Sequence, residues 1–401
     1  MKTRLNLLTV SCIALGAFYS CDDTDDIINP VNVEAPATYS FTRNNSTTVD
    51  FSGQTTRIEM SEVILDALLD NSLTEANIDG KFGHIQGSND FSDPELNASD
   101  KSVRSKVAAS VDYFGSNSTA AAAIKADFDG YIAQQVNEIF PVWNNTASKG
   151  VPGNLQQAGG GSIRYINGDG LEYNQAFAKA LLGGLMTDQM LNNYLSPLVL
   201  DEADNRLDND LEVLNTGKNY TTMEHKWDEA YGYLYGAEAT PATPTLDQDS
   251  FLSEYLDRVE ADGDFSGIAG DIYDAFKLGR AAIVAGDYEL RDQQALIIRE
   301  NVSKVIAVRA VFYLQAGKGD LATDKAKAFH ALSEAYGFIY SLQFTREPNT
   351  NQPYFSRTEV QEMLNLLTAN DGFWDVSAAT LNQMSDQISS RFGFTTAQAA
   401  G

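Results

Sequence analysis

The chain has little of what most protein chemistries require. It holds two cysteines, Cys12 and Cys21, in 401 residues. Cys12 sits inside an apolar leader, so the mature chain offers Cys21 no disulfide partner. Histidine occurs three times, at His84, His225 and His330. Positive charge is scarce, with 28 Lys and Arg against 55 Asp and Glu and a net charge of −27. Without a basic footprint to neutralise phosphates, nucleic acid is excluded as a partner. An anionic membrane surface would repel such a body too. No G-x-S-x-G or H-E-x-x-H element appears, which removes the common signatures of serine hydrolases and zinc peptidases. The glycine-rich stretch 145–170 lacks the lysine and Ser/Thr spacing of a phosphate cradle and reads as a long surface loop that covers a site. The acidic stretches 201–212 and 260–264 lack the sixth-position glycine of a calcium loop and read as a solvated loop and a turn.

The amino terminus is more informative. Lys2 and Arg4 precede an apolar run, Leu5 to Phe18, that is too short to span a bilayer. Residues 1–20 therefore read as a secretory signal. Ser20 before Cys21 resembles a bacterial lipobox, which makes Cys21 the expected lipidation residue. Asp22-Asp23-Thr24-Asp25-Asp26 resembles the acidic tag that sends Bacteroidota lipoproteins to the outer face of the outer membrane. Residues 21–37, with Pro30 and Pro36, read as a tether. Removing residues 1–20 takes away Lys2 and Arg4 and no acid, leaving −29 on 381 residues. That charge suits an exported protein kept soluble by repulsion, or one that attracts cations.

Residues 38–401 form the expected body, with 43% of the whole chain apolar and enough to bury a large core. Short β-type runs at 39–41 and 47–51 predict a hairpin or strap. From Thr56 the apolar period changes to that of a helix. Helices are expected near 56–69, 101–114, 117–143, 171–195, 221–236, 249–260, 266–285, 288–315, 323–343, 357–369 and 377–391. The polar stretch around Gly80, Gly83, Gly87 and Pro94 reads as loop, with His84 a loop histidine. Gly183 and Gly184 cost about 1 kcal/mol each inside a helix, a cost commonly offset by close approach of a neighbour. The class is all-α: a multi-helix bundle with long loops and a short β-type N-terminal strap, in one body or in two pseudo-repeated halves.

One stretch recurs. His225-Lys226-Trp227-Asp228-Glu229-Ala230-Tyr231-Gly232-Tyr233-Leu234-Tyr235 matches His330-Ala331-Leu332-Ser333-Glu334-Ala335-Tyr336-Gly337-Phe338-Ile339-Tyr340 at six of eleven positions. Both copies read H-x-x-x-E-A-Y-G. On a helix, positions i and i+4 share a face, so each copy can present an imidazole beside a carboxylate. If the copies face each other, His225, Glu229, His330 and Glu334 converge as metal ligands, with Trp227, Asp228, Tyr231 and Tyr336 lining the pocket. Iron or another divalent transition metal suits such a set. The competing reading is structural: each glutamate accepts from its own histidine, the rings fill the core, and Gly232 and Gly337 let helices approach.

The chain resembles the Bacteroidota lipoproteins of domain-of-unknown-function family 4856. The resemblance rests on Ser52-Gly53-Gln54-Thr55-Thr56-Arg57, Arg164-Tyr165, Gly170-Leu171-Glu172, Asn219-Tyr220-Thr221, Met223 through Gly232, Gly279-Arg280-Ala281-Ala282-Ile283 and His330 through Glu334. It covers nearly all of the mature chain and carries no mechanism with it. A remoter similarity is to imelysin-like proteins, exported helical bundles with a G-x-H-x-x-E motif and links to iron uptake. Here the spacing is H-x-x-x-E, and no glycine lies two residues before either histidine. The expectation is a non-catalytic outer-membrane lipoprotein, exposed at the cell surface, that binds a metal ion or metal-containing ligand beside an outer-membrane receptor. The alternatives are a non-metal interaction or glycan-binding module, and an imelysin-like peptidase.

Overall fold

Apolar spacing at three to four residues becomes helix along most of the chain. The computed structural model describes residues 33–348, 350 and 352–401. The expected signal at 1–20, Cys21 and tether residues 22–32 lie outside these. Val33–Gly401 forms one compact unit. Among the described residues there are 17 α-helices and two two-stranded antiparallel sheets, an all-α architecture. No helix there is long and apolar enough to cross a membrane.

The helices of eight residues or more are α1 (Ser52–Ala67), α2 (Glu75–Phe82), α3 (Ser118–Gln134), α4 (Tyr173–Leu181) and α5 (Thr222–Tyr235). They continue as α6 (Leu252–Glu260), α7 (Ile268–Ala285), α8 (Tyr288–Asp320), α9 (Lys325–Ser341), α10 (Arg357–Leu367) and α11 (Ala378–Arg391). The 33-residue α8 is the spine, packed against α7, α9 and α11. Its seam of Ile298, Val302, Val305 and Val308 is buried, each side chain contributing about 1.5–3 kcal/mol.

Glycines set the closest contacts. A Cβ at Gly337 would sit 2.5 Å from the Lys179 Cβ and 2.9 Å from the Ala180 nitrogen, so α9 and α4 touch backbone to backbone there. After α4 the helix runs on through two π-helical turns, Leu182–Thr187 and Met190–Tyr194. At the first, Gly183 N–H donates to Ser341 Oγ (3.1 Å), and a Cβ on Gly183 would meet that serine at 2.5 Å. The helical cost of Gly183 is thus offset by α9, as its spacing implied.

The strap exists. β1 (Thr42–Arg43) pairs with β2 (Ser46–Thr47) across Asn44 and Asn45, whose φ values of 53° and 62° are those of a primed hairpin turn. It lies on α5 and α7 around a buried ion network. Arg280 Nε reaches Asp228 Oδ1 (3.0 Å), its Nη1 reaches Glu224 Oε1 (3.0 Å), and its Nη2 donates to Thr48 Oγ1 (3.0 Å). Arg43 adds Glu224 Oε2 at 3.1 Å, and Tyr39 O–H donates to Asp228 Oδ1 at 2.6 Å.

Several expectations change, and the acidic 201–212 stretch holds a short helix, Asn205–Asp210, with Asn205 and Asn209 buried. Residues 75–82 are helical, because Thr74 and Asn77 form a capping box and Ile78 and Phe82 bury one face. The 101–114 helix breaks into Val103–Lys106 and Val111–Phe114. Asp188 takes the Ala109 and Ser110 N–H groups at 3.0 Å each, holding Ala108 at φ 46°. The 145–170 loop contains a hairpin, β3 (Gly153–Gln156) with β4 (Ile163–Ile166), fixed by Tyr165 stacked on Trp143 at 3.5 Å.

Candidate functional site

The two motif copies fall on α5 and α9, and each receives the start of an earlier helix. In the first copy, His225 Nδ1 lies 2.9 Å from the Asp50 carbonyl, and Asp50 N–H points back to Asp228 Oδ2 at 3.4 Å. In the second, His330 Nδ1 lies 2.6 Å from Glu172 Oε2, and Glu172 N–H donates to Ser333 Oγ at 2.9 Å. Ser333 therefore does in its copy what Asp228 does in the other. The glycines correspond too. A Cβ on Gly232 would strike Phe51 Cβ at 2.4 Å, ahead of α1, while Gly337 lies against α4. A hairpin precedes each docked helix, β1–β2 before α1 and β3–β4 before α4. Both copies are thus docking faces, and the glycine role read from the sequence holds.

They differ in what is left over. In the first copy every expected site residue is engaged in structure. The His225 ring stacks on Tyr220 at 4.4 Å and 12°, and Glu229 accepts from Gln54 Nε2 at 2.9 Å. Trp227 is wholly buried and donates from Nε1 to the Phe276 carbonyl (3.0 Å); Asp228 belongs to the strap network. Tyr231 stacks on Tyr39 at 3.6 Å, and Tyr336 meets Tyr131 edge-on at 6.4 Å. The four expected metal ligands are not gathered: among the described residues no three His, Cys, Asp or Glu stand where they could hold a metal ion. The reason is local. His225 turns to the chain entering α1, Glu229 turns to Gln54, and His330 turns to the chain entering α4. His84 is a buried loop histidine, its Nδ1 2.6 Å from Asp90 Oδ2.

The second copy opens onto a cleft of about 440 Å³ between α1, α4, α6, α8 and α9. His330, Glu334, Lys179, Asn174, Tyr255 and Tyr313 carry its chemistry. Glu172 is placed by Asn167, whose Oδ1 accepts the Asp169 and Leu171 N–H groups at 2.9 Å each and fixes the turn before α4. His330 thus stands between two carboxylates, its Nδ1 on Glu172 and its Nε2 facing Glu334 Oε2 at 3.6 Å, with Nε2 and Glu334 turned to the cleft. Lys179 Nζ stands 3.7 Å from Glu334 Oε1 and 4.8 Å from the Tyr255 ring centre. Tyr255 O–H donates to Glu334 at 3.4 Å, and burial, then the Glu334 charge, push the Tyr313 phenol up to about 12. Asn174 is only 6% exposed, yet among the described residues its Oδ1 has no hydrogen-bond partner.

Sequence reasoning missed Glu172, Asn174, Lys179 and Tyr255. Glu172 comes from 158 residues away, and only its place in Gly170-Leu171-Glu172, already singled out as a family feature, marked it. What fold and site define is a helical protein with a polar, aromatic-walled cleft built where one helix N-terminus docks on a glycine-bearing partner. The chain belongs to the family described as Domain of unknown function (DUF4856), whose model matches residues 36–395. No curated protein and no solved structure matches the chain.

Proposed function

We propose that this is an exported, lipid-anchored, non-catalytic binding protein of the outer-membrane surface, and that the α4–α6–α9 cleft takes a small polyhydroxylated ligand of the saccharide class. The observation that carries the binding reading is Asn174, a buried amide at the cleft wall whose oxygen lacks the donor it needs. Glu334 adds acceptors, His330 a polar ring nitrogen, Lys179 a donor, and Tyr255 and Tyr313 offer ring surface. A cleft of about 440 Å³ is of the size that holds a small ligand. Export and anchoring are supported by Lys2, Arg4, the Leu5–Phe18 run and Ser20-Cys21.

A metal ion is the second reading, favoured by one feature. A carboxylate on Nδ1 with Nε2 turned to another carboxylate is how metal-binding imidazoles are oriented. His330 and Glu334 would be its two protein donors, with Lys179 competing for the same carboxylate.

Titration calorimetry of the purified chain against a panel of neutral and amino monosaccharides, and separately against Zn²⁺ and Fe²⁺, separates the two. The saccharide reading expects saturable sugar binding that Asn174→Leu weakens by about tenfold, as for a lost hydrogen bond of roughly 1.4 kcal/mol. Metal binding that disappears in His330→Ala, with no sugar bound, would transfer the site to the second reading. Binding of neither refutes both.

A further inference from the structure

Among the described residues, one edge of a buried arginine elsewhere in the fold has no partner. Arg299, on α8, is 9% exposed, and its Nε and Nη2 make no hydrogen bond. These two nitrogens share one edge of the guanidinium and direct their N–H bonds in parallel, the fork that fits two oxygens of a carboxylate or phosphate. One turn along α8, Ser303 Oγ accepts the Arg346 backbone N–H at 3.0 Å, and the Arg346 guanidinium is near enough for its charge to act on Arg299. Arg346 is 2% exposed, lies 4.4 Å over the Tyr113 ring and donates from Nε to Asn192 Oδ1.

The acids that act on Arg299 are Asp112 and Asp292. Both are engaged elsewhere. Asp112 accepts from Ser196 Oγ (2.7 Å), and Asp292 is held by Arg291 at 2.7 and 2.9 Å. Asp188, which acts on Arg346, is taken up by Ala109, Ser110 and Asn192. Burial, reinforced by the like charge of Arg346, pushes the Arg299 guanidinium down to about 10. The chain has 55 acidic side chains, and among the described residues none is bonded to this edge. A buried cation left without a counter-charge is costly, and an anion supplied from outside removes that cost.

We propose that the Nε/Nη2 edge of Arg299, beside Arg346, is an oxyanion-binding site for the carboxylate or phosphate group of a ligand. Arg299 grips the group bidentately, and Arg346 contributes positive charge. The site shares no residue with the His330 cleft and does not depend on what that cleft binds.

Titration calorimetry on the purified chain in a chloride buffer tests the proposal, with inorganic phosphate and acetate as separate probes. Saturable binding of either is expected, and the tighter of the two identifies the source of the oxyanion. Arg299→Met should weaken it by at least about tenfold, and Arg299→Lys, which keeps the charge but loses the parallel edge, by a comparable factor. No saturable binding of phosphate or acetate up to ~10 mM overturns the site, and so does binding that both variants leave unchanged. Stability in chloride is an independent check. Arg299→Met should melt no lower than the parent chain, because the guanidinium edge has no bond to lose. A pronounced fall would mean that the edge is already paired within the protein, and would overturn the proposal.

Discussion

The same substitution should have opposite signs at two helical glycines. Gly130, inside α3, has only the Gln134 side chain near the place an added methyl would take, at 3.7 Å, an ordinary contact. Gly130→Ala should therefore return the usual helix-propensity gain, about 0.8–1 kcal/mol. Gly337→Ala has the same gain available and meets a different environment. Its methyl would lie 2.5 Å from Lys179 Cβ, 2.9 Å from the Ala180 nitrogen and 3.0 Å from the Ala176 carbonyl oxygen. Carbon atoms rest about 3.5–4.0 Å apart, so α9 and α4 must separate by roughly 1 Å. Overpacking of this kind costs about 1–3 kcal/mol, and here the obstruction is largely backbone, which cannot rotate away. The separation also strains His330–Glu172 at 2.6 Å and Glu172–Ser333 at 2.9 Å, which bridge the same seam. The net expectation is a loss of about 1–3 kcal/mol once the propensity gain is set against the clash and these bonds. Urea unfolding with a fixed m-value reads both variants directly. If Gly337→Ala stabilises as much as Gly130→Ala, the close approach of α9 and α4 is wrong, and the cleft geometry falls with it.

Other outcomes follow from the same reasoning. Arg280→Met leaves Asp228 and Glu224 buried without their main counter-charge and should cost about 3–5 kcal/mol, with the strap at 39–51 becoming the first site cut in limited proteolysis. An uncut strap and an unchanged melting temperature would refute the network's role. Asp249 is 9% exposed with an unpartnered Oδ2, and burial, helped by Glu62 and opposed by its backbone bonds, pushes its carboxyl up to about 7. Its folded value is raised, so the stability it contributes is complete below about pH 4 and is lost as pH rises through about 7, on the order of 4 kcal/mol in all. Asp249→Asn should flatten that part of the stability–pH curve; an identical slope in the variant would refute the assignment. Glu172→Gln keeps the shape but removes the carboxylate that meets His330 Nδ1, so the His330 ring signals should move by NMR while those of His225 stay in place; unmoved His330 signals would refute the contact.

Much of this fold was legible in the sequence. The α8 seam and the glycines opposite Lys179 and Ser341 follow from periodicity and from the cost of glycine in a helix. Hairpin β3–β4 was not legible, because four-residue strands with mostly half-buried side chains show no alternation, and its order comes from Trp143 against Tyr165. The α2 capping box was present in Thr74 and Asn77 but hidden among glycines. The repeated motif correctly marked two equivalent helices. It could not say which way each imidazole turns, because that is decided by Asp50 and Glu172, both more than 150 residues away in sequence. Asn174 and Lys179 carried no pattern of their own; a buried amide and a buried lysine become notable only once their surroundings are known.

The strap also fixes an order of events. Thr48 is among the first body residues to be made, and the arginine that fastens it lies 232 positions later. At about 5–20 residues per second, the N-terminal hairpin waits on the order of 10–50 s for its clasp. The hairpin therefore stays unclasped until Arg280 has been made, and any factor acting on the nascent protein has that interval in which to reach Tyr39 and Phe41 before they are covered.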